Sequence, residues 1–316
     1  IVKKYATSRG KTGAALISLE CSFHGRLGYS LTLTGNARYK NGFGTYANAP
    51  GVVHAPTPYC YRSKFGVDEC GYEAAVRVKE IIDRQTTGDV AAMILEPVLG
   101  EGGIIVPPDS YFRELTQILK KADIPFIADE VQSGFGRTGK LFASEHWNLQ
   151  PDVITMAKGL GAGMPIGAFI STEEIANCIE SGDLFSTFGG NPVSSAVALE
   201  NIKMILEEDL IKNSAETGEY MLKRLQELKE KHELIGDVRG KGLMIGVELV
   251  KDRKTKDPAE KETKSLVDAM LKAGVIIGLG GIYKNVLRIQ PPLCISEAQV
   301  TEVIEIMDSE LGKMQW

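Results

Sequence analysis

Pro125-Phe126-Ile127-Ala128-Asp129-Glu130-Val131-Gln132-Ser133-Gly134-Phe135-Gly136-Arg137-Thr138-Gly139 sets a short apolar run against an acid pair and a glycine-rich turn. Such a run between helical stretches reads as a buried parallel strand. Three other runs share the form. Ala15–Leu19 leads to Phe23 and His24, Ala91–Leu95 ends at Glu96, and Asp152–Ala157 ends at Lys158. In an open α/β sheet, ligands bind outside the carboxyl ends of the strands. Phe23, His24, Glu96, Asp129 and Lys158 are therefore expected to converge on one crevice.

The pattern continues outward. Helices are expected at Tyr72–Gln85, at Asp109–Ala122 with Asp109 or Ser110 as N-cap, and at Asn191–Glu208. A further strand is expected at Ile166–Ser171. This alternation implies a mostly parallel sheet covered on both faces. Beyond it, Ser214–His232 reads as an amphipathic surface helix and Leu243–Leu249 as a strand. Glu262–Ala273 and Ser296–Met314 read as helices, and Val275–Ile277 and Asn285–Ile289 as strands. The expected division is a large domain over 1–205 and a smaller C-terminal α/β domain over 206–316. The opening Ile1–Ala6 reads as the tail of a helix without an initiator methionine, so a preceding N-terminal portion is expected.

The 316 residues suffice for two cores, and a net charge of −5 without a basic cluster argues against a nucleic-acid partner. Five cysteines, odd in number, widely spaced and without CxxC, fit a reducing, cytoplasmic setting and argue against a disulfide scaffold or metal site. No apolar stretch reaches membrane-spanning length, so no membrane partner is expected.

A buried lysine facing an aspartate and an aromatic ring is what a pyridoxal phosphate (PLP) enzyme needs. Lys158 alone could snorkel at a strand end, but Gly159-Leu160-Gly161-Ala162-Gly163 permits close approach of backbone to a ligand. Asp129 alone could close a turn; paired with Lys158 it could keep a pyridine nitrogen protonated. Glu130 reads equally as structural or chemical, and Gln132 could hydrogen-bond a ring hydroxyl. Phe23 could stack on the cofactor or belong to the core. Thr187, in Ser186-Thr187-Phe188-Gly189-Gly190-Asn191-Pro192, opens a turn whose hydroxyl and amides could hold phosphate. Arg288, a lone arginine in Val286-Leu287-Arg288-Ile289, is either paired structurally or a carboxylate clamp.

Together, the intact stretch Asp129–Gly139, the lysine motif and Thr187–Pro192 resemble the class III (ω-amino acid) aminotransferases. The resemblance implies the PLP-dependent fold type I, an aspartate aminotransferase-like α/β architecture. It implies that Lys158 carries the cofactor covalently, Asp129 pairs with the pyridine nitrogen and Gln132 with the 3′-hydroxyl. Phe23 would stack on the ring, with His24 and Gly25 completing the turn; Glu96 and Val131 join the cofactor-binding set. Thr187 would reach the phosphate of a neighbouring subunit's cofactor, making a homodimer with shared sites. Arg288 would bind the substrate carboxylate, with Glu101 of Glu96-Pro97-Val98-Leu99-Gly100-Glu101 as its resting partner. Leu99 stands where many members have glutamine, and the family's SGSEA-type phosphate loop is expected ahead of residue 1.

The implied reaction is transamination between an amino-acid or ω-amine donor and a small keto acid, of the alanine–glyoxylate/pyruvate type. The 4-aminobutyrate and ornithine/acetylornithine activities are alternatives. So are an amino-acid racemase or aminomutase using the same lysine and aspartate, and a non-catalytic protein.

Overall fold

Val90–Leu95 is buried at all six positions, as a strand covered on both faces must be. It is β3 of a six-stranded sheet in the computed structural model, which describes residues 1–314. Its neighbours are β1 (Ala15–Leu19), β2 (Val52–Ala55), β4 (Phe126–Asp129), β5 (Val153–Met156) and β6 (Ala168–Ser171), in the order β2-β1-β3-β4-β5-β6. All pairings are parallel except β5 with β6. The strand order reverses direction between β1 and β3, which makes the carboxyl ends of these two strands a ligand-binding position.

Helices α1 (Val2–Ser8), α2 (Gly28–Leu33), α3 (Val67–Gln85), α4 (Asp109–Lys121), α5 (Glu173–Ala176) and α6 (Pro192–Glu207) accompany this sheet in the chain. Val2, Tyr5 and Ala6 of α1 pack on Leu16, Ala92, Ile94 and Ile127 of the strands. α3 and α4 approach closely because Gly71 has no side chain. A Cβ there would lie 2.3 Å from Ser110 Oγ and 2.6 Å from Pro108 Cγ.

A second sheet is antiparallel, in the order β7-β8-β10-β9, from β7 (Ile235–Lys241), β8 (Met244–Leu249), β9 (Gly278–Gly280) and β10 (Val286–Ile289). Its core joins Ile245, Val247, Leu287 and Ile289 to apolar residues of α7 (Leu210–Lys231), α8 (Glu260–Lys272) and α9 (Glu297–Lys313). Ser296 caps α9, with Gln299 completing a capping box.

The chain forms two compact units. One holds Ile1–Pro97, Pro107–Gln132 and Ser144–Lys203; the other holds Val98–Val106, Ser133–Ala143 and the chain from Met204 onward.

Several local expectations need correction. α3 begins at Val67 rather than Tyr72; Asp68 and Glu69 favour its first turn electrostatically. Pro108, not Asp109 or Ser110, stands at the N-cap of α4, and the Asp109 carboxylate instead accepts from Trp147 Nε1–H at 2.9 Å. Val275–Ile277 is not a strand. The ladder forms three residues later, where Gly280 leaves room for Arg288: a Cβ on Gly280 would lie 2.5 Å from Arg288 Cδ. β7 is absent from the sequence expectations because Asp237, Arg239 and Lys241 interrupt any apolar run. Arg239 pairs with Asp237 and with fully buried Glu248, each at 2.7 Å, and so tolerates the sheet.

Candidate active site

Glu96, at the carboxyl end of β3, is 3% exposed and accepts a hydrogen bond from the Phe23 amide at 2.8 Å. That contact ties the turn after β1 to the end of β3, at the point where the strand order reverses. The turn is built tightly. Thr34 Oγ1 accepts from the His24 amide at 2.9 Å and donates to the Gly25 carbonyl at 3.0 Å. Gly25 has φ +131°, and a Cβ there would lie 2.5 Å from Ser30 Oγ. No other residue type suits this position. The Phe23 ring meets Tyr39 edge-on at 4.9 Å, and the Arg26 guanidinium sits over both rings.

Asp129 closes β4 and is buried. Its Oδ1 accepts from the Val131 amide at 3.1 Å, and its Oδ2 lies 2.7 Å from His24 Nδ1. A carboxylate has no proton to give here, so the imidazole donates. Burial works against the charged imidazole. The Asp129 hydrogen bond and charge, reinforced by Glu96, outweigh it and raise the His24 pKa above its ordinary 6.5. Phe23 with Glu96 and His24 with Asp129 thus form two hydrogen-bonded pairs joined by the chain between residues 23 and 24.

Glu130 is fully buried and accepts from the Ser144 amide at 2.8 Å and hydroxyl at 2.6 Å, while its own amide donates to Thr155. These contacts favour its structural reading. Gln132 is half-buried just beyond.

Lys158 follows β5, whose Thr155 registers with Asp129 of β4. It opens a 3-10 turn, Lys158–Leu160, with φ +41°. The expectation of a buried lysine does not hold for this chain: Lys158 is exposed, as are Gly159, Ala162 and Gly163 of the glycine-rich run beside it. Asn201 of α6 braces the turn, donating to the carbonyls of Gly159 at 2.6 Å and Leu160 at 3.2 Å. Gly161 is required there, since a Cβ would lie 2.3 Å from the Met164 carbonyl oxygen. Thr187 stands exposed in the turn before α6, between Phe185 and Phe188, which are 89% and 82% exposed.

In the other unit, Arg288 of β10 forms an ion pair with Glu101 through Nη1 and Oε1, both side chains largely buried. Arg288 Nε is buried with no hydrogen-bond partner. Glu96 and Glu101, five positions apart, therefore serve different units. Sequence reasoning missed Asn201, Thr34 and Tyr39. Their partners in the site lie from 9 to 42 positions away along the chain, and nothing in their local sequence marks them. Among the described residues no group of three or more His, Cys, Asp or Glu side chains could hold a metal, and no helix is long and apolar enough to cross a membrane.

The donor set fits PLP. A buried carboxylate at a strand end suits a protonated ring nitrogen, an exposed amine stands on the adjacent strand end, and an aromatic ring lies at the next turn. Comparisons agree. The family model described as Aminotransferase class-III matches residues 1–311. The chain is 44% identical over 299 residues to alanine–glyoxylate aminotransferase 2 homolog 2, mitochondrial, of Arabidopsis thaliana, covering 95% of this chain and 61% of that protein. It is 43% identical over 267 residues to a leucine/methionine racemase of Thermococcus litoralis, covering 84% and 60%. The chain thus spans about three fifths of the length of these relatives. A solved Bacillus anthracis aminotransferase superposes with a TM-score of 0.93 at 33% identity, covering 99% of this chain and 72% of that one.

Proposed function

The chain belongs to the class-III aminotransferases, and from that membership we propose that it transfers an amino group between an amino-acid or ω-amine donor and a small keto acid, of the alanine–glyoxylate/pyruvate type, using PLP. The observation that carries this reading is the buried Asp129–His24 pair at the end of β4, one strand from Lys158. When bound, PLP supplies an electron sink for the carbanion left when a substrate C–H proton is removed.

The chain's own residues do the rest. Asp129 would set its carboxylate against the ring nitrogen, and His24 and the Val131 amide keep that carboxylate aimed. The Lys158 amine would hold the cofactor and would take a proton from the substrate carbon and return it elsewhere. Phe23 would cover one face of the ring, and Gln132 would hydrogen-bond its hydroxyl. Arg288 offers a planar fork to a substrate carboxylate, with Glu101 as its partner when that carboxylate is absent. Thr187 serves the site of a second subunit in a homodimer. The bare Phe185 and Phe188 rings support an interface there. The five free cysteines support a reducing, cytoplasmic setting.

A racemase reading is favoured by one observation, the 43% identity to a leucine/methionine racemase. Single-turnover incubation of the PLP-loaded protein with alanine, 4-aminobutyrate and ornithine separates the two. Stoichiometric release of a keto acid or aldehyde supports transamination. Loss of optical purity without carbonyl release establishes racemisation instead, and no spectral change with PLP would sink both.

A further inference from the structure

The segment after β2 holds a pair of cysteines that the proposed chemistry does not use. Cys60 lies in the 3-10 turn Cys60–Arg62, and Cys70 lies in the first turns of α3. Cys60 Sγ is 3.7 Å from the carbonyl oxygen of Val67. Residue 70 stands one helical turn beyond residue 67 on the same face. The Cys60 and Ser63 side chains both bear on the Cys70 thiol and lower its pKa. Cys70 also lines an open cleft of about 460 Å³. Its rim carries Arg62, Lys64 and Arg77 against Glu73 and Glu80, and Arg77 is already paired with Glu80.

We propose that Cys60 and Cys70 form a reversible dithiol/disulfide pair that exchanges with an anionic low-molecular-weight disulfide docked in this cleft. The inference is independent of the transamination reading.

Three features suit Cys70 to be the attacking thiol. It lies near the amino end of α3, where the helix dipole favours a thiolate. The Cys60 and Ser63 side chains outweigh burial and pull its pKa down to about 7. The cleft brings cationic side chains to an anionic partner. Cys21 is the contrast: burial, only partly offset by Thr57, pushes its thiol up to about 11, so it stays protonated.

The exchange balances in two steps. The Cys70 thiolate attacks one sulfur of the small disulfide, whose S–S bond breaks and releases one thiolate. The Cys60 thiolate then attacks Cys70 Sγ in the mixed disulfide and releases the second. Two protein thiols are oxidised, the small disulfide is reduced to two thiols, and the two cysteine protons end on them. The cross-link would staple the segment whose Thr57 hydroxyl donates to the Glu20 carbonyl. That carbonyl lies just ahead of the turn bearing Phe23 and His24.

The test is timed incubation with oxidised glutathione, acid quench, alkylation of remaining thiols and peptide mapping. The expected result is a Cys60–Cys70 cross-linked peptide that forms before any change at Cys21 or Cys178 and reverts with dithiothreitol. Cys60→Ser should instead accumulate a glutathione adduct on Cys70. Arg62→Ala with Lys64→Ala should slow exchange with oxidised glutathione severalfold and leave the rate with neutral 2-hydroxyethyl disulfide unchanged. Persistence of both thiols while exposed Cys294 is modified would overturn the pair. So would failure of Cys60→Ser to trap an adduct on Cys70. Equal rates for the two disulfides in the charge variant and the parent would overturn the anionic preference. The mapping of the unmutated protein needs no variant to fold.

Discussion

His24 Nδ1 lies 2.7 Å from Asp129 Oδ2, joining positions 105 residues apart, with side chains 2% and 7% exposed. The pair links the turn after β1 to the end of β4 across the intervening β3. It gives the aspartate a fixed donor in place of water. The carboxylate is therefore oriented before any ligand arrives, which avoids reorganisation at the moment of reaction.

This pair makes stability depend on pH in a defined direction. The folded pKa of His24 is raised above 6.5. Its contribution is fully present below the unfolded value and is lost as pH rises through the folded one. His24→Gln should lower the melting temperature most below about pH 6, and the deficit should shrink toward alkaline pH. Thermal melts of both proteins across that range check this. A deficit that grows with pH would mean the histidine is neutral in the folded protein.

Lys158→Ala should abolish amino transfer and the near-visible absorbance band of covalently held PLP. Asp129→Ala should keep the band while slowing proton abstraction by roughly 10²–10⁴-fold, as loss of a positioned electrostatic group does. Absorbance spectra and stopped-flow kinetics read these separately. Full activity in either variant would show the site to lie elsewhere.

Asn201 holds the turn that presents Lys158. Asn201→Ala removes two hydrogen bonds and should cost about 1–2 kcal/mol. Asn201→Asp should cost more, because a carboxylate would then face two carbonyl oxygens. Urea denaturation measures both; unchanged midpoints would show the turn to be held by other contacts.

Arg288→Lys should raise KM for the keto-acid acceptor far more than for a donor lacking an α-carboxylate, because an ammonium cannot reproduce the two-pronged fork. Glu101→Ala should weaken ω-amine donors, which would then meet an arginine stripped of its partner. Steady-state kinetics with alanine, 4-aminobutyrate and pyruvate read the split. Equal losses on all three would assign Arg288 a structural role.

Thr187→Ala and Lys158→Ala should complement across a homodimer. In a heterodimer of the two variants, one site carries both lesions and the other carries none. Mixing the weakened proteins, with subunit exchange verified, should restore activity to one site per heterodimer. No recovery would place Thr187 in its own subunit's site.

Five of the six strands of the first sheet were legible because each announces itself locally, whereas β2, only four residues long, was not expected. Apolar runs ending on Glu96, Asp129 and Lys158 need only their own residues to be recognised, and the rule that ligands lie at carboxyl ends orders them. Lys158, Asp129, Phe23 and His24 could therefore be named from the chain as candidate site residues. What the sequence by itself determined is this list of chemistry-bearing strand ends and the family to which they belong.

The tertiary structure decided what local patterns do not encode. β7 is a strand because Arg239 finds Asp237 and Glu248, and β9 forms at Gly278–Gly280 because the Arg288 stem lies across Gly280. The antiparallel β6, the exposure of Lys158, the brace from Asn201, and the approach of Cys60 to the Val67 carbonyl all depend on where separate segments meet. Arg288 and Glu101 are 187 positions apart, and their ion pair exists only once β10 and the Val98–Val106 segment have folded into one unit. Periodicity is a property of neighbours along the chain. Hydrogen bonds, ion pairs and burial are properties of neighbours in space, and folding alone brings those together.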